Sequence, residues 1–227
     1  MVNKKELALE STTLWDFPTQ NYGDTPHGNN KYNGVTSAFV IWNLLKRYTK
    51  DNDLVVDPMC GSGTTIDVAK ELKRRVIGYD INVVRPDVIK NDARRIPLNN
   101  DSVDFVFIDS PYSDNISYSN DIRCIGKISC EKQEFFDELE KVAKEIHRIL
   151  KPNKAVGWLI GDQWKKKKFI PTGFLLYQRL EKYFETIDTI CVTRRNQTSN
   201  TDIWHNRAIQ FNFYLRGFKY LFIMSKK

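Results

Sequence analysis

Two aspartates stand where a nucleoside-binding protein needs carboxylates to accept hydrogen bonds from ribose hydroxyls. Asp57 ends the apolar run 54–56, and Asp80 ends a second strand-like run, 75–79. In a nucleotide-binding strand–helix–strand unit, the acid that holds the ribose lies about 20 residues beyond the glycine turn. The spacing therefore predicts that Asp57 and Asp80, at the ends of adjacent strands, frame one nucleoside.

A glycine-rich turn connects the first of these strands to a helix. Residues 57–65 read DPMCGSGTT, and the amphipathic segment 66–72 follows. Glycine admits positive φ and lets a ligand approach the backbone closely. The two glycines alone also fit an ordinary strand–helix turn, because the segment lacks both the GxGxxG spacing of dinucleotide-binding proteins and the Lys-Ser/Thr pair of a phosphate-binding loop.

A second motif makes the pattern specific. The buried-strand pattern 104–108 (DFVFI) runs directly into the tetrapeptide 109–112 (DSPY). Together, residues 57–65 and 109–112 resemble the cofactor motif, commonly DPFxGSGTT, and the catalytic DPPY motif of the S-adenosylmethionine-dependent amino-methyltransferases that act on DNA bases. The resemblance runs from about Trp15 to the C-terminus.

The resemblance implies an α/β, Rossmann-like methyltransferase fold whose seven-stranded, mostly parallel sheet is closed by a C-terminal antiparallel hairpin. It also implies S-adenosylmethionine as the cofactor. The residues expected to bind this cofactor are Asp57, Pro58, Met59, Cys60, Gly61, Ser62, Gly63, Thr64, Thr65, Asp80, Ile81, Asp92 and Ala93. Asp92 would meet the adenine amino group, although a lone acid at a strand end fits a solvated turn equally well.

The catalytic residues implied by the resemblance are Asp109, Ser110, Pro111 and Tyr112. An exocyclic amine of adenine or cytosine is a poor nucleophile, because its lone pair is delocalised into the ring. The Asp109 carboxylate and the Ser110 carbonyl would accept the amine hydrogens and aim the lone pair at the sulfonium methyl. Tyr112 would stack on the base, which must first leave the duplex stack. This chemistry requires no metal.

The chain departs from the family pattern in two respects. Ser110 replaces the usual first proline of the catalytic motif, so the φ angle at residue 110 is not fixed by a ring. An acid at the first position is more typical of adenine-amino enzymes and a serine there of cytosine-amino enzymes, so the motif favours adenine N6 and leaves cytosine N4 as the alternative. Enzymes with this motif order also usually carry a separate recognition domain, for which this chain shows no segment.

Basic and aromatic residues in three stretches are the candidates for DNA contacts. The stretches are 113–133, the lysine run 165–168 and 194–214. The named candidates are Tyr118, Arg123, Lys165, Lys166, Lys167, Lys168, Arg194, Arg195 and Arg207. A run of four lysines is equally typical of a solvated surface. Sequence recognition would therefore come from these stretches, from the second copy in a homodimer, or from a separate specificity subunit.

One methyltransferase domain is predicted over residues 1–227, with an N-terminal arm at 1–33 packed by Trp15 and Phe17. Apolar spacing predicts helices at 36–48, 134–150 and 170–183, and the last two strands at 186–193 and 219–225. The stretches 113–133 and 194–214 are predicted to be substrate loops, because loops of such length are usually functional or disordered.

Composition narrows the class of protein further. The chain has 227 residues and a net charge of +7, which suits a polyanionic partner such as DNA. Its four cysteines are irregularly spaced, with no CxxC pair, and indicate neither a zinc site nor a disulfide framework. The chain shows no membrane-length apolar run and no signal peptide, so a cytoplasmic protein is expected.

Three classes of function compete on this sequence. A DNA amino-methyltransferase is favoured by the paired motifs and the basic charge. An RNA guanine-amino or a protein-glutamine methyltransferase would use the same chemistry, but the former usually carries an RNA-binding domain and the latter an NPPY turn. A module that binds cofactor without turnover is disfavoured because Asp109, Pro111 and Tyr112 are all present.

Overall fold

The computed structural model describes residues 7–29, 34–195 and 201–227. Its main feature is an eight-stranded sheet with strand order β1-β9-β10-β6-β5-β2-β3-β4, beside a two-stranded sheet made by β7 and β8. The strands are β1 (Leu14–Trp15), β2 (Leu54–Asp57), β3 (Arg75–Asp80), β4 (Val88–Lys90), β5 (Val103–Asp109), β6 (Leu150–Ile160), β7 (Gln163–Lys165), β8 (Lys168–Ile170), β9 (Phe184–Thr193) and β10 (Phe218–Lys226). The helices are α1 (Ala38–Tyr48), α2 (Thr64–Glu71), α3 (Gln133–Ile149), α4 (Thr172–Leu180) and α5 (Asp202–Gln210).

The sheet is mostly parallel and ends in an antiparallel pair. Strands β6, β5, β2, β3 and β4 run parallel to one another. Strand β10 is antiparallel to both β6 and β9. The predicted α/β class, with a parallel sheet closed by a C-terminal antiparallel pair, is therefore confirmed.

Helices cover both faces of this sheet, which is why its central strands are mostly apolar. Helices α3 and α4 pack on one face, where the core includes Phe135, Leu139 and Leu176. Helix α1, the N-terminal arm and part of α2 cover the other face, where Trp15 and Leu44 are buried. Strand β5 is buried at every position except its last residue. Burial on both faces leaves only the strand ends available for polar chemistry.

The predicted count of seven strands is wrong by one. The additional strand, β1, comes from the N-terminal arm and pairs in parallel with Cys191 and Val192 of β9. The Cys191 amide donates a hydrogen bond to the carbonyl oxygen of Thr13 at 2.7 Å, and the Trp15 side chain is only 1% exposed. The arm thus covers an edge that would otherwise expose unpaired backbone groups. A two-residue strand is too short to produce a periodic pattern in the sequence.

The predicted helices agree with the structure to within a few residues, and one helix was missed. The predictions 36–48, 134–150 and 170–183 correspond to α1, α3 and α4. The stretch 194–214, predicted to be a loop, contains helix α5. None of the side chains of α5 is buried, so the helix has no apolar stripe facing the core from which it could be predicted. Residues 1–6 and 30–33 of the predicted arm, and 196–200 of this stretch, lie outside the described residues.

Two kinds of feature are absent from the described part of the chain. In residues 7–29, 34–195 and 201–227, no helix has the length and apolar character needed to cross a bilayer. Within the same residues, no group of three or more histidines, cysteines or acids is arranged to hold a metal ion. The four cysteines are free thiols, of which Cys191 alone is partly exposed.

Candidate functional site

The three candidate carboxylates lie at the carboxyl ends of neighbouring parallel strands. Asp57 ends β2, Asp80 ends β3 and Asp109 ends β5. Strand β2 pairs in parallel with both β3 and β5, so the three strands end at the same edge of the sheet. Ligands of open α/β sheets bind beyond this edge. The sheet therefore brings together three acids that are up to 52 residues apart in the sequence, from 57 to 109.

The glycine turn is fixed by hydrogen bonds to two of these acids. The Asp57 carboxylate accepts hydrogen bonds from the Thr65 hydroxyl at 2.5 Å and the Met59 amide at 3.1 Å. The Asp80 carboxylate accepts one from the Gly61 amide at 2.8 Å. Gly63 has φ of +85°, a conformation that few other residues adopt, and it is the N-cap of α2. These hydrogen bonds hold the turn in one shape at the carboxyl end of β2.

Burial changes the acidity of both carboxyl groups. Asp57 is 3% exposed, and its burial raises its pKa to about 7, assisted by the nearby charges of Asp80 and Asp109. Burial also raises the pKa of Asp80, although hydrogen bonds from backbone amides oppose that shift. Because like charges are crowded in a dry site, a positively charged ligand would stabilise their ionised forms.

A cavity of about 840 Å³, here called the inner cavity, opens above the glycine turn. Twelve of the predicted cofactor-binding residues line it: Asp57, Pro58, Met59, Cys60, Gly61, Ser62, Thr64, Thr65, Asp80, Ile81, Asp92 and Ala93. Gly63, the remaining one, is not part of the lining. Asp92 forms an ion pair with Arg94 at 2.6 Å, so its carboxylate already has a strong partner.

The N-terminal arm packs directly on the glycine turn. The Gly28 amide donates a hydrogen bond to Asp67 on α2 at 2.8 Å, and His27 contacts Glu71 at 2.8 Å. Gly28 has φ of +68°, and a Cβ atom there would lie 2.5 Å from the Thr64 hydroxyl oxygen. Only glycine allows the arm to approach the turn this closely. The segment before the glycine motif therefore covers α2 and the turn.

The Asp109 carboxylate is surrounded by three donors. It accepts hydrogen bonds from the Tyr112 hydroxyl at 2.7 Å and from the Thr36 hydroxyl at 2.5 Å. The Lys219 ammonium lies 3.4 Å from the same carboxylate and 5.2 Å from the centre of the Tyr112 ring. Burial, and next the negative charge of Asp109, raise the pKa of Tyr112, so the tyrosine remains a donor. These contacts hold the carboxylate in one orientation.

Ser110 is fixed by a side-chain contact. The Trp158 indole N–H donates a hydrogen bond to the Ser110 hydroxyl oxygen at 3.0 Å, and both residues are buried. Trp158 lies on β6, which pairs in parallel with β5. A neighbouring strand therefore supplies a restraint at the position where the serine lacks the ring of a proline.

A second concave region, here called the outer cavity, lies on the other side of Asp109 and has a volume of about 1,470 Å³. Ser110 and Tyr112 line it, whereas Pro111 lines the inner cavity. Asp109 lines both cavities. Aromatic and basic side chains form much of the outer wall: Tyr118, Trp164, Arg194, Trp204, Phe213, Tyr214, Arg216 and Lys219.

The candidate nucleic-acid residues in the loop 113–133 lie closer to the cofactor motif than expected. Tyr118 lines both cavities, and Arg123 lines the inner cavity. Arg123 forms an ion pair with Asp121 at 2.6 Å. The main-chain carbonyl of Tyr118 accepts a hydrogen bond from the Asn82 side chain at 3.0 Å. The loop is therefore attached to the end of β3 and forms a wall of the inner cavity.

The lysine run forms a tight β-hairpin, with Lys165 paired to Lys168 across β7 and β8. Lys166 and Lys167 form its turn, with φ of +50° and +61°. Lys165 is held by Asp114, and that contact lowers the pKa of Asp114 to about 2. Lys166, whose side chain is 74% exposed, lies 3.2 Å from Glu131. The four lysines therefore lie in different environments, and Lys165 is largely neutralised within the fold.

The three arginine candidates also lie in different environments. Arg194 lines the outer cavity. Arg195 is exposed and forms an ion pair with Asp16 of the N-terminal arm. The Arg207 guanidinium lies 5.3 Å from the centre of the Trp204 ring, on α5. All three follow β9 in the sequence, and of the three only Arg194 lines the outer cavity.

The contacts that four residues make in the site were not predicted from the sequence; these residues are Thr36, Arg85, Trp158 and Lys219. Thr36 and Lys219 are separated from Asp109 by 73 and 110 residues. Arg85 donates to the carbonyl oxygen of Ser62 at 3.1 Å and binds Asp67, which braces the glycine turn. None of the four belongs to a local motif, so only the tertiary fold reveals their roles.

Comparison with known proteins agrees with the glycine motif, residues 57–65, which lies within the matched region. Residues 2–91 match the model of the N6/N4 methyltransferase family, described as DNA methylase. The type II methyltransferase M1.MboII of Moraxella bovis is 36% identical over 72 residues, covering 30% of this chain and 28% of that protein. M.HindIII, a type II methyltransferase of Haemophilus influenzae, is 51% identical over 39 residues, covering 17% of this chain and 13% of that protein. The matched stretches thus span less than a third of these relatives.

Solved structures share the fold. Geranyl diphosphate methyltransferase in complex with SAM has a TM-score of 0.54 and 13% identity, covering 84% of this chain and 86% of that chain. At this identity the likeness concerns the fold, and it confirms the predicted Rossmann-like methyltransferase architecture. The family match supports S-adenosylmethionine as the cofactor. The sequence matches confirm the predicted resemblance: over residues 2–91 this chain is similar to the S-adenosylmethionine-dependent DNA amino-methyltransferases.

Proposed function

We propose that this chain transfers a methyl group from S-adenosylmethionine to the exocyclic amino group of a DNA base, with adenine N6 favoured over cytosine N4. The observation that carries the proposal is the position of Asp109, which lines both the inner and the outer cavity. A cofactor in one cavity and a base in the other would meet at this carboxylate. The family match and the net charge of +7 support DNA as the substrate class.

The residues that line the inner cavity support S-adenosylmethionine as its ligand. Asp57 and Asp80 would accept hydrogen bonds from the hydroxyl and ammonium groups of the cofactor, and the N–H groups of the glycine turn would face its carboxylate. Apolar side chains, including Ile81, Phe107 and Ile125, would enclose the adenine ring. The crowded carboxylates favour a ligand with positive charge, which the sulfonium and ammonium groups provide. When bound, the cofactor supplies an electrophilic methyl group.

The residues of the chain would act on the amine by position and charge. The Asp109 carboxylate would accept one amino hydrogen and the Ser110 carbonyl the other, which concentrates electron density on the nitrogen. Each carboxylate oxygen can accept two hydrogen bonds, so the bond from Tyr112 leaves acceptor capacity on the same oxygen. Trp158 keeps Ser110 in place, and Tyr112 offers a ring face for stacking at the wall of the outer cavity.

The base would have to leave the duplex to reach Asp109, because the carboxylate side chain is only 13% exposed. Unstacking and unpairing cost a few kcal/mol, which contacts within the pocket must offset. The aromatic side chains of the outer cavity can contribute about 1–3 kcal/mol per stacked base.

A direct assay would test this proposal. Purified protein is incubated with methyl-labelled S-adenosylmethionine and, separately, duplex DNA, RNA and a protein mixture, and the DNA is then digested to nucleosides. Label in N6-methyladenine supports the favoured reaction, and label in N4-methylcytosine supports the alternative. Transfer only to RNA or protein would overturn the proposal.

A further inference from the structure

Helix α5 is an exposed element at the edge of the outer cavity. It lies between β9 and β10, and Trp204 is its residue in the cavity wall. Within α5, all side chains except that of Ala208 are exposed. A helix without a buried face gains little stability from the fold that carries it. Its position beside the outer cavity therefore calls for a functional explanation.

Aromatic contacts attach the α5 segment to the β7–β8 hairpin. The rings of Trp164 and Phe213 stack with their centres 6.0 Å apart and an interplanar angle of 17°. The Arg216 guanidinium lies 5.2 Å from the centre of the Phe169 ring. The hairpin and the segment 201–216 consequently form one structural unit, here called the recognition rim.

The outward face of α5 carries an unusual set of side chains. At 100° per residue, Asn206 and Gln210 are one turn apart on the same face, opposite Trp204 and Ala208. Ile203 and Ile209 flank these two amides and are 66% and 81% exposed. Asp202 lies on the same side at the start of the helix, where an acid is favoured by the helix dipole. The rest of this face combines amides and apolar side chains, whereas a merely solvated helix face usually carries charged residues.

This combination matches the edges of A·T base pairs in the DNA major groove. The side-chain amide of one asparagine or glutamine can make two hydrogen bonds to one adenine: it donates to N7 and accepts from the N6 amine. Apolar side chains can contact the methyl group of thymine. An α-helix with its side chains is about 10–12 Å in diameter, which fits the width of the major groove, about 12 Å. The charge is also complementary, because the described residues from 194 to 216 contain four arginines and one acid.

We infer that α5 reads base sequence in the major groove next to the target base, through Asn206 and Gln210, and that it selects A·T pairs. The inference rests on the proposed DNA methyltransferase function. It places a sequence-reading element on the same structural unit as the wall of the outer cavity. The basic side chains of the recognition rim would contact phosphates on either side of the helix and hold it in register.

The test compares methylation sites rather than total activity. Wild-type protein and the double variant N206A/Q210A methylate the same plasmid to partial extent, and the rate at each methylated position is mapped by sequencing. Gln178→Ala provides the matched control, because Gln178 is an exposed amide on α4. We expect the double variant to lose about ten- to a hundredfold of its preference for the wild-type sites, the scale of one or two bidentate base contacts. The control should keep the full preference.

The outcomes separate this inference from the proposed function. An identical pattern of preferred sites in wild type and double variant overturns the role of α5 but leaves the methyltransferase function intact. Equal wild-type rates at all sites also overturn it. Absence of methylation on any DNA by the wild type overturns both. If I203S/I209S abolishes a homodimer in solution while site preference persists, the face of α5 is a contact between copies of the chain and not a reader of DNA.

Discussion

The inner cavity and the recognition rim lie on either side of Asp109, yet they are built in opposite ways. The inner cavity is lined by buried polar groups such as Asp57 and Asp80, whose hydrogen bonds go to backbone amides and to a hydroxyl from the same turn. The rim carries exposed aromatic and basic side chains on a hairpin and a helix that is nowhere buried. A small ligand of fixed shape is bound best by rigid, prearranged groups, whereas a polyanionic duplex is bound over a broad surface.

The largest expected effect is on methyl transfer, and it comes from Asp109, the residue between the two regions. Asp109→Ala should reduce methyl transfer by about 10²-fold or more while cofactor affinity stays near that of the wild type. The carboxylate would contact the amine, and the cofactor would be held mainly by the ends of β2 and β3. Single-turnover transfer of labelled methyl groups and calorimetry with S-adenosylmethionine measure the two quantities separately.

Asp188→Ala is the matched control, because it removes an exposed acid on β9. Thermal unfolding should show that both variants fold. A fully active Asp109→Ala protein would falsify the catalytic assignment, since that variant lacks the only acid proposed to contact the amine.

Asp80→Ala is expected to cause a smaller effect, a loss of cofactor affinity in the inner cavity. Its carboxylate is predicted to bind ribose hydroxyls, and it also accepts hydrogen bonds from the Gly61 and Asn82 amides at 2.8 Å each. Hydrogen bonds to charged groups contribute about 1.5–3 kcal/mol, so cofactor affinity should fall about 10- to 100-fold. Calorimetry gives the dissociation constant, with Asp51→Ala as a control at an exposed acid. Unchanged affinity in Asp80→Ala would remove this residue from the cofactor site.

Disturbing the contact between the N-terminal arm and the glycine turn should reduce cofactor affinity by an intermediate amount. Gly28→Ala places a Cβ 2.5 Å from the Thr64 hydroxyl oxygen, whereas Gly23→Ala, at φ of +64°, meets no atom within 4 Å. Both variants carry the strain of alanine at positive φ, about 1–2 kcal/mol, so comparing them isolates the contact. We expect cofactor affinity to drop several-fold more in Gly28→Ala. Equal affinities in the two variants would show that the arm does not position the turn.

The smallest effect is expected on the rim, where single charges act through solvent. Replacing Lys166 and Lys167 with glutamine should weaken DNA binding and reduce the salt slope by roughly 0.9 for each phosphate that the variant no longer neutralises. Lys73→Gln with Lys144→Gln serves as the control, since both lysines are exposed and Lys73 also has positive φ, at +59°. Fluorescence anisotropy with a labelled duplex at several salt concentrations gives the slopes. If the hairpin variant matches the wild type, the lysine run is a solvated surface.

Some properties of the lysine run could be predicted from the sequence, and others could not. Its position near the carboxyl end of a strand was predictable, because β6 has a clear apolar pattern that stops at Ile160. Its division into a neutralised Lys165 and an exposed Lys166 was not, because the acids that bind them, Asp114 and Glu131, belong to a separate loop. Helix α5 was missed for a related reason: without a buried face, it leaves no periodic signal.

The sequence by itself determined the parts of this protein whose information is local. Apolar runs specified the parallel strands, the glycine turn specified the start of α2, and the two motifs specified which acids would lie at strand ends. Only the tertiary structure decided how Thr36 and Lys219 reach Asp109, how Trp158 restrains Ser110, and how β1 covers the edge of β9. Those contacts join residues tens to more than a hundred positions apart, and their geometry depends on how whole elements pack, which no short stretch of sequence encodes.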